Sequence, residues 1–468
     1  MSFISTRGGA CVTASQAILR GLAPDGGLYV PAVFPQMTLA DIAALTKLDY
    51  RARALTILRG YLDDFNAQEL ADAIASAYEA AKFDDAAIAP TKKLDSNTHV
   101  LELFHGPTLA FKDMALQMLP YLLAASLKKT GEEKTVCILV ATSGDTGKAA
   151  LEGFRDVDRT KILVFYPDGG VSDMQKLQMV TQEGKNVGVC AVRGNFDDAQ
   201  TGVKRIFSDE ALREELAGRG YFLSSANSIN WGRLLPQIVY YVSAYCDLLN
   251  AGAIEAGDAV NFCVPTGNFG NILSGFYAKK MGVPIGRLIC ASNENNVLTD
   301  FIKTGTYDRN RPFYQTASPS MDILISSNLE RLLSLLSGSD EEVRGYYLRA
   351  KAFLFPGEED FGITPVEAQS AGTPVLAFGR GGACETVLDG KTGLLFDEQT
   401  PESLEACIQK FETEGVAYPP QQIREHSRSF SEQRFEDELR DYCTRRYADW
   451  QRELEACSHH ETAKEAEE

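Results

Sequence analysis

The chain has 468 residues, 44% of them hydrophobic and 24% charged, which suits a soluble globular protein of about three domains. Its net charge of −18 argues against general binding to nucleic acid or to an anionic membrane, while leaving room for a local basic pocket. Ten cysteines, from Cys11 to Cys457, form no CxxC pair; they are expected to be reduced, buried thiols of a cytoplasmic protein, with no metal site.

The opening, MSFISTRGGA, lacks the basic and apolar regions of a signal peptide, and no apolar run approaches a membrane span. Residues 1–95 are Ala-rich and read as helical after Gly-Gly turns such as Asp25-Gly26-Gly27; Leu70 to Lys82 has helical periodicity. From His99 to about Gly338 short β-rich runs alternate with helical stretches. VCILVAT (136–142), KILVFYP (161–167), NVGVCAV (186–192) and AVNFCVPT (259–266) predict buried parallel strands with crossover helices. Ligands of such sheets bind beyond the carboxyl ends of the strands.

Two turns at those ends, ATSGDTG (141–147) and VPTGNFGN (264–271), are rich in Gly, Ser, Thr and Asn. Each can present N–H groups and hydroxyls to an anion at a helix N-terminus. Either turn alone could be purely structural. Lys112, in LFHGPTLAFKDMALQ, follows an apolar run and opens a helix, where the helix dipole disfavours its charge. Two anion-binding turns and one apolar-flanked amine suggest two anionic groups gathered near that amine.

Beyond Gly338 a strand is predicted at 352–357, a helix at 365–372, a strand at 373–379, a helix, turn and strand over 381–397, and a helix over 401–415 between Pro401 and Gly415. The expected organisation is an N-terminal region (1–95), a region of alternating strands and helices (96–340), a further strand–helix region (341–452) and an acidic tail (453–468).

HGPTLAFKD resembles the lysine motif of the threonine synthases, pyridoxal-phosphate enzymes of the tryptophan-synthase-β fold type. ISTRGG…LAPDGGLYVP, ATSGDTG, NSINWGRLLPQ (227–237), VPTGNFGN and SSNLERLL (326–333) resemble that family in the same order, over about residues 3–340. The resemblance implies an α/β fold, with an open twisted parallel sheet of PLP fold type II and a helical N-terminal domain. It implies pyridoxal 5'-phosphate in aldimine linkage to Lys112, and conversion of O-phospho-L-homoserine and water to L-threonine and phosphate. It assigns Gly267, Asn268, Phe269, Gly270 and Asn271 to the cofactor phosphate. Thr142, Ser143, Asp145 and Thr146 would meet the substrate's carboxylate or phosphate, and Asn230 and Arg233 its phosphate. Asp113 would orient the lysine helix or its surroundings.

EDFGITPVEAQSAGTPVLAFGRGGACETVLDGKTGLLF (359–396) resembles group-1 glycosyltransferases of the GT-B fold in their Rossmann-like nucleotide-binding lobe, over about 339–450. In that family Glu359 and Glu367 would hold hydroxyls, while backbone around Gly362, Ile363 and Thr364 would face a diphosphate. The acceptor lobe and the first strands are missing. So is the PHTA-like segment that closes a threonine synthase and contacts the pyridine nitrogen. The chain reads as a mosaic of two enzymes. Two other readings stay open: a sugar-nucleotide-dependent transferase, and a non-catalytic assembly of two fragments.

Overall fold

The computed structural model describes residues 1–142, 144–194, 196–308, 310–337, 340–413, 418–431, 433–447 and 452. Its packing divides into two compact units, Met1–Leu336 and Ser337–Glu468. The expected tail, 453–468, lies outside the described residues, as does Gly415. Among the described residues no helix is long and apolar enough to cross a membrane.

The first unit opens differently from the expected turns and helices. Phe3–Ser5 pairs antiparallel with both Gly8–Val12 and Tyr29–Pro31. The apolar signal of these strands is short and diluted by glycine, but Phe3, Tyr29 and Val30 are buried. Helices then follow at Ala14–Arg20, Leu39–Leu45, Tyr50–Tyr61 and Ala67–Ala77. Three of them start in reciprocal capping boxes, Thr13 with Gln16, Thr38 with Asp41 and Asn66 with Glu69, which satisfy otherwise orphaned N–H donors.

The central sheet is parallel, in the order Val187–Val192, Thr160–Pro167, Thr135–Ala141, Tyr221–Ser224. A second parallel pair joins Val260–Pro265 to Ile285–Ala291. All four strands read from the sequence are present. Tyr221–Ser224 and Ile285–Ala291 carry weaker signals, the first being four residues long and the second interrupted by Gly286 and Arg287. Alternate residues of Val260–Pro265 point out of the core, so Cys263 is exposed, while Cys137, on Thr135–Ala141, is half-buried; among the described cysteines only Cys246 and Cys407 are buried, which corrects the expectation of buried thiols. The nine described cysteines are free.

One core runs through residues on both sides of position 95. Trp231 is its hub, fully buried, with ring centroids 5.1 Å from Phe3, 5.7 Å from Tyr61 and 5.8 Å from Tyr277. It thereby joins the N-terminal sheet, the helix Tyr50–Tyr61 and the helix Gly270–Lys280. Such tilted aromatic contacts add to the burial of the rings themselves.

The second unit holds a parallel sheet, Phe353–Phe355, Val375–Phe378 and Gly393–Phe396. Helices Asp340–Arg349, Ile363–Ser370, Ala383–Thr386, Pro401–Thr413 and Pro420–Ser427 accompany it. Val375 and Ala377 enter one cluster with Phe355 and Ala368, while Leu376 and Phe378 enter another with Leu394 and Cys407. Both faces of the central strand are therefore covered, as its unbroken apolar run requires.

Gly153 controls how the lysine segment packs. It lies on the helix Asp145–Phe154, and a Cβ there would fall 2.0 Å from the carbonyl oxygen of Leu116, which ends the helix Asp113–Leu116. Gly153→Ala is expected to destabilise the chain by about 1–3 kcal/mol through overpacking. Gly202→Ala, where a Cβ meets nothing within 4 Å, should leave stability unchanged or raise it. Denaturant titration of both variants checks the pair.

Candidate active site

Lys112 stands at the start of the short helix Asp113–Leu116, and its side chain is 11% exposed. Asp113 secures that position. Its carboxylate, fully buried, accepts from Thr108 N and Thr108 Oγ1, each at 2.8 Å. This ties the turn before the lysine to the helix after it, and Gly106 is what lets the turn come so close, since a Cβ there would sit 2.5 Å from that of Asp113. Burial raises the Asp113 carboxyl to about 6, against hydrogen bonds that lower it.

Burial also depresses the Lys112 amine, to about 8. Asp145 opposes the shift and Arg233 adds to it. Asp145 Oδ2 lies 3.6 Å from Lys112 Nζ, and its other oxygen accepts from Gln175 Nε2 at 2.6 Å. Gln175 reaches it across Gly144, where a Cβ would fall 2.3 Å from the Gln175 amide. The depression amounts to roughly 3 kcal/mol against the charged amine.

The amine opens into a small cleft. Of the residues expected there, Lys112, Thr146, Arg233, Gly267, Asn268, Gly270 and Asn271 line it. Asp145 reaches it through Lys112. Phe269 does not line it: its side chain is buried, and its φ of 67° is left-handed, a rare setting for a bulky residue. That turn starts the helix Gly270–Lys280, whose first N–H groups have no intrahelical acceptor.

Arg233 is 6% exposed, and its Nη1 donates to Ala226 O at 3.0 Å. Burial lowers its guanidinium to about 10.

Two side chains expected as substrate contacts are engaged within the chain. Thr142 Oγ1 accepts from Gly144 N and Gly147 N and bonds to Gly144 O, so it holds its own turn together. Asn230 is fully buried; its amide donates to Ile18 O and Ser225 O and its oxygen caps Gly232 N. Neither side chain lines the cleft. Ser143 lies outside the described residues.

Phe111, Ser228, Gln237, Ser320 and Met321 also line the cleft without having been singled out. Ser228 and Gln237 flank Arg233 within NSINWGRLLPQ, a signal that was available. Ser320 and Met321 arrive from a distant loop, and nothing in their local pattern marks them.

In the second unit, Gly362 is left-handed (φ 75°) at the start of Ile363–Ser370. Glu359, Ile363, Thr364 and Glu367 are exposed. Glu359 uses its main-chain oxygen to accept from Gly382 N at 2.8 Å, and Glu367 accepts from Tyr347 Oη at 3.4 Å.

Residues 2–78 match the family model for the threonine synthase N terminus, 88–347 that for pyridoxal-phosphate dependent enzymes, and 327–433 that for glycosyl transferases group 1. Threonine synthase-like 1 of Homo sapiens is 48% identical over 339 residues, 70% of this chain and 45% of that protein. This chain thus spans less than half the length of that relative. The threonine synthase of Pseudomonas aeruginosa is 45% identical over 344 residues, 72% of this chain and 69% of that protein. The structure of PLP-bound threonine synthase from Brucella melitensis aligns with a TM-score of 0.67 at 34% identity, covering 92% of this chain and 100% of that one.

The cofactor is pyridoxal phosphate, and the cleft suits it. A buried amine of lowered basicity faces a cradle built on glycine. A Cβ on Gly267 would lie 3.2 Å from Met321 Cα, and one on Gly270 would lie 3.2 Å from Asn328 Nδ2. The helix start beside them favours a phosphate.

Only the neutral amine captures an aldehyde, and lowering the Lys112 pKa makes it neutral at lower pH. The rate at which Lys112 captures pyridoxal phosphate, trapped with borohydride and mapped, is therefore expected to climb through pH 7 and level off with a midpoint near about 8. Asp145→Asn removes an attraction that favours the ammonium and should move that midpoint lower. A midpoint near that of a solvated lysine would contradict the geometry.

Proposed function

We propose that this chain, which belongs to the pyridoxal-phosphate-dependent enzymes and among them to the threonine synthase family, is a lyase that converts O-phospho-L-homoserine and water to L-threonine and phosphate. The observation that carries the reading is the meeting of Lys112, Arg233 and the Gly267–Asn271 turn around one cleft. Family membership supports the chemistry, and the specific substrate follows from the resemblance of the motifs.

When bound, the cofactor supplies an electron sink that lets protons leave carbon. The chain's own residues do the rest. The Gly267–Asn271 turn and the helix start behind it would hold the cofactor phosphate. Arg233 would take the substrate phosphate, for which a guanidinium offers a fork of donors. Its burial, with one hydrogen bond to Ala226 O, leaves it poised for an anion. Thr146 would add a hydroxyl beside it. Lys112, freed by the incoming amino group, would carry protons at Cα and Cβ of the substrate, a task matched to an amine titrating near neutrality. Asp145, steadied by Gln175, would keep that amine in place. Phosphate would leave from Cγ and water add at Cβ.

The PHTA-like segment has no counterpart in the sequence, so we place the expected weakness in turnover and not in cofactor capture. The group-1 transferase match supports a second reading for residues 327–433 only as a sugar-nucleotide-binding fragment.

Lys112→Ala should abolish phosphate release from O-phosphohomoserine; full release by that variant would end the reading. Arg233→Gln should raise KM for that substrate at least about ten-fold while borohydride still traps pyridoxal phosphate at Lys112. Phosphate assays and peptide mapping decide both.

A further inference from the structure

SSNLERLL (326–333) follows the family pattern, yet no residue of it lines the cleft. It is nonetheless fastened to two of the cleft's walls. Ser326 Oγ donates to Gly267 O, and Asn328 N donates to Asn268 O at 3.1 Å. Asn328 Nδ2 donates to Ser228 O at 3.1 Å.

Arg331, on the helix Leu329–Ser337, is 0% exposed. Its Nε donates to Tyr29 O at 2.9 Å and its Nη2 to Ile229 O at 2.6 Å, while Nη1 holds Asn328 Oδ1 and reaches Ser228 O at 3.4 Å. Every one of these acceptors is a neutral oxygen. Its neighbour Glu330 is engaged with Thr6 and Arg7 instead. A buried cation held only by neutral groups is a poor device for stability, and an apolar side chain of similar volume would serve a core better.

The hydrogen bonds suggest what it does. A planar trans peptide points its N–H opposite to its C=O. Holding Gly267 O at Ser326 therefore turns the N–H of Asn268 the other way, and holding Asn268 O at Asn328 does the same for the N–H of Phe269. Gly267 and Asn268 themselves line the cleft.

We propose that Arg331 is a positioning residue: by fixing Asn328 and the Ser228–Ile229 turn, it holds the Gly267–Asn271 turn with its N–H groups aimed at the cofactor phosphate. This rests on the reading of that turn as the phosphate site.

The test compares pyridoxal phosphate with pyridoxal, which lacks the phosphate, as ligands of the full chain. Absorbance titration gives both affinities, and borohydride mapping confirms Lys112 as the point of capture. The wild-type chain is expected to prefer pyridoxal phosphate. Arg331→Met should cut that preference at least about ten-fold while leaving pyridoxal capture nearly unchanged. Ser326→Ala, a smaller change to the same support, should cut it about three-fold. Proportional loss of both ligands would mean a merely structural role and would overturn the proposal, as would an unchanged preference. Should Arg331→Met fail to fold, Ser326→Ala decides alone, an unchanged preference refuting the proposal. A wild-type chain that captures both ligands equally would sink the phosphate-site reading, and this proposal with it.

Discussion

Taking a charged amine out of water is the constraint around which the first unit is organised. Arg233 and Arg331 are buried and Lys112 is mostly so, and burial depresses all three. Asp145 is the carboxylate that reaches Lys112, while Arg233 and Arg331 are held by main-chain and amide oxygens. Positive charge that outnumbers the carboxylates beside it is unfavourable in an apolar interior. It becomes useful when a dianionic ligand enters, because fixed donors in a dry site act more strongly than the same donors in water. The acidic chain as a whole and the cationic cleft within it are thus compatible.

The elements that build this cleft come from two sheets. Asp145 and Thr146 begin a helix just beyond the carboxyl end of Thr135–Ala141, and Gly270 begins another just beyond Val260–Pro265. Trp231 holds the pieces in register from the core side. Glycine appears where one more carbon would collide: at Gly144 under Gln175, at Gly153 under Leu116, and at Gly106 under Asp113. Precision at Lys112 is thereby a property of close packing around it as much as of the lysine itself.

The second unit is a small parallel sheet with both faces covered, and it matches group-1 glycosyl transferases over a segment that starts at residue 327. In one turn of it, Gly381 and Gly382 pack closely against the backbone of Glu359 and Phe361. Glu359 and Glu367 are exposed there. The mosaic character seen in the motifs is the character of the folded chain.

Much of the site was legible in the residues. A lysine after an apolar run, and glycine-rich turns placed after β-rich runs, have local causes: backbone sterics at glycine, strand periodicity and the N–H groups of a helix start. Those features pointed to Lys112 and to the Gly267–Asn271 turn, and residues of both line one cleft. The sequence could not say where a polar side chain spends its hydrogen bonds. Thr142 and Asn230 resemble ligands in one dimension, but their atoms are used within 2.9 to 3.2 Å by their own turns and by the chain near Ile18. Ser320 and Met321 reach the cleft because a loop folds back over Gly267, and Arg331 matters because its guanidinium meets Tyr29, 302 positions away. The sequence by itself determined the chemistry available and the local turns that present it. Only the tertiary structure decided which donors stay free, since that depends on which distant carbonyls close packing brings within reach.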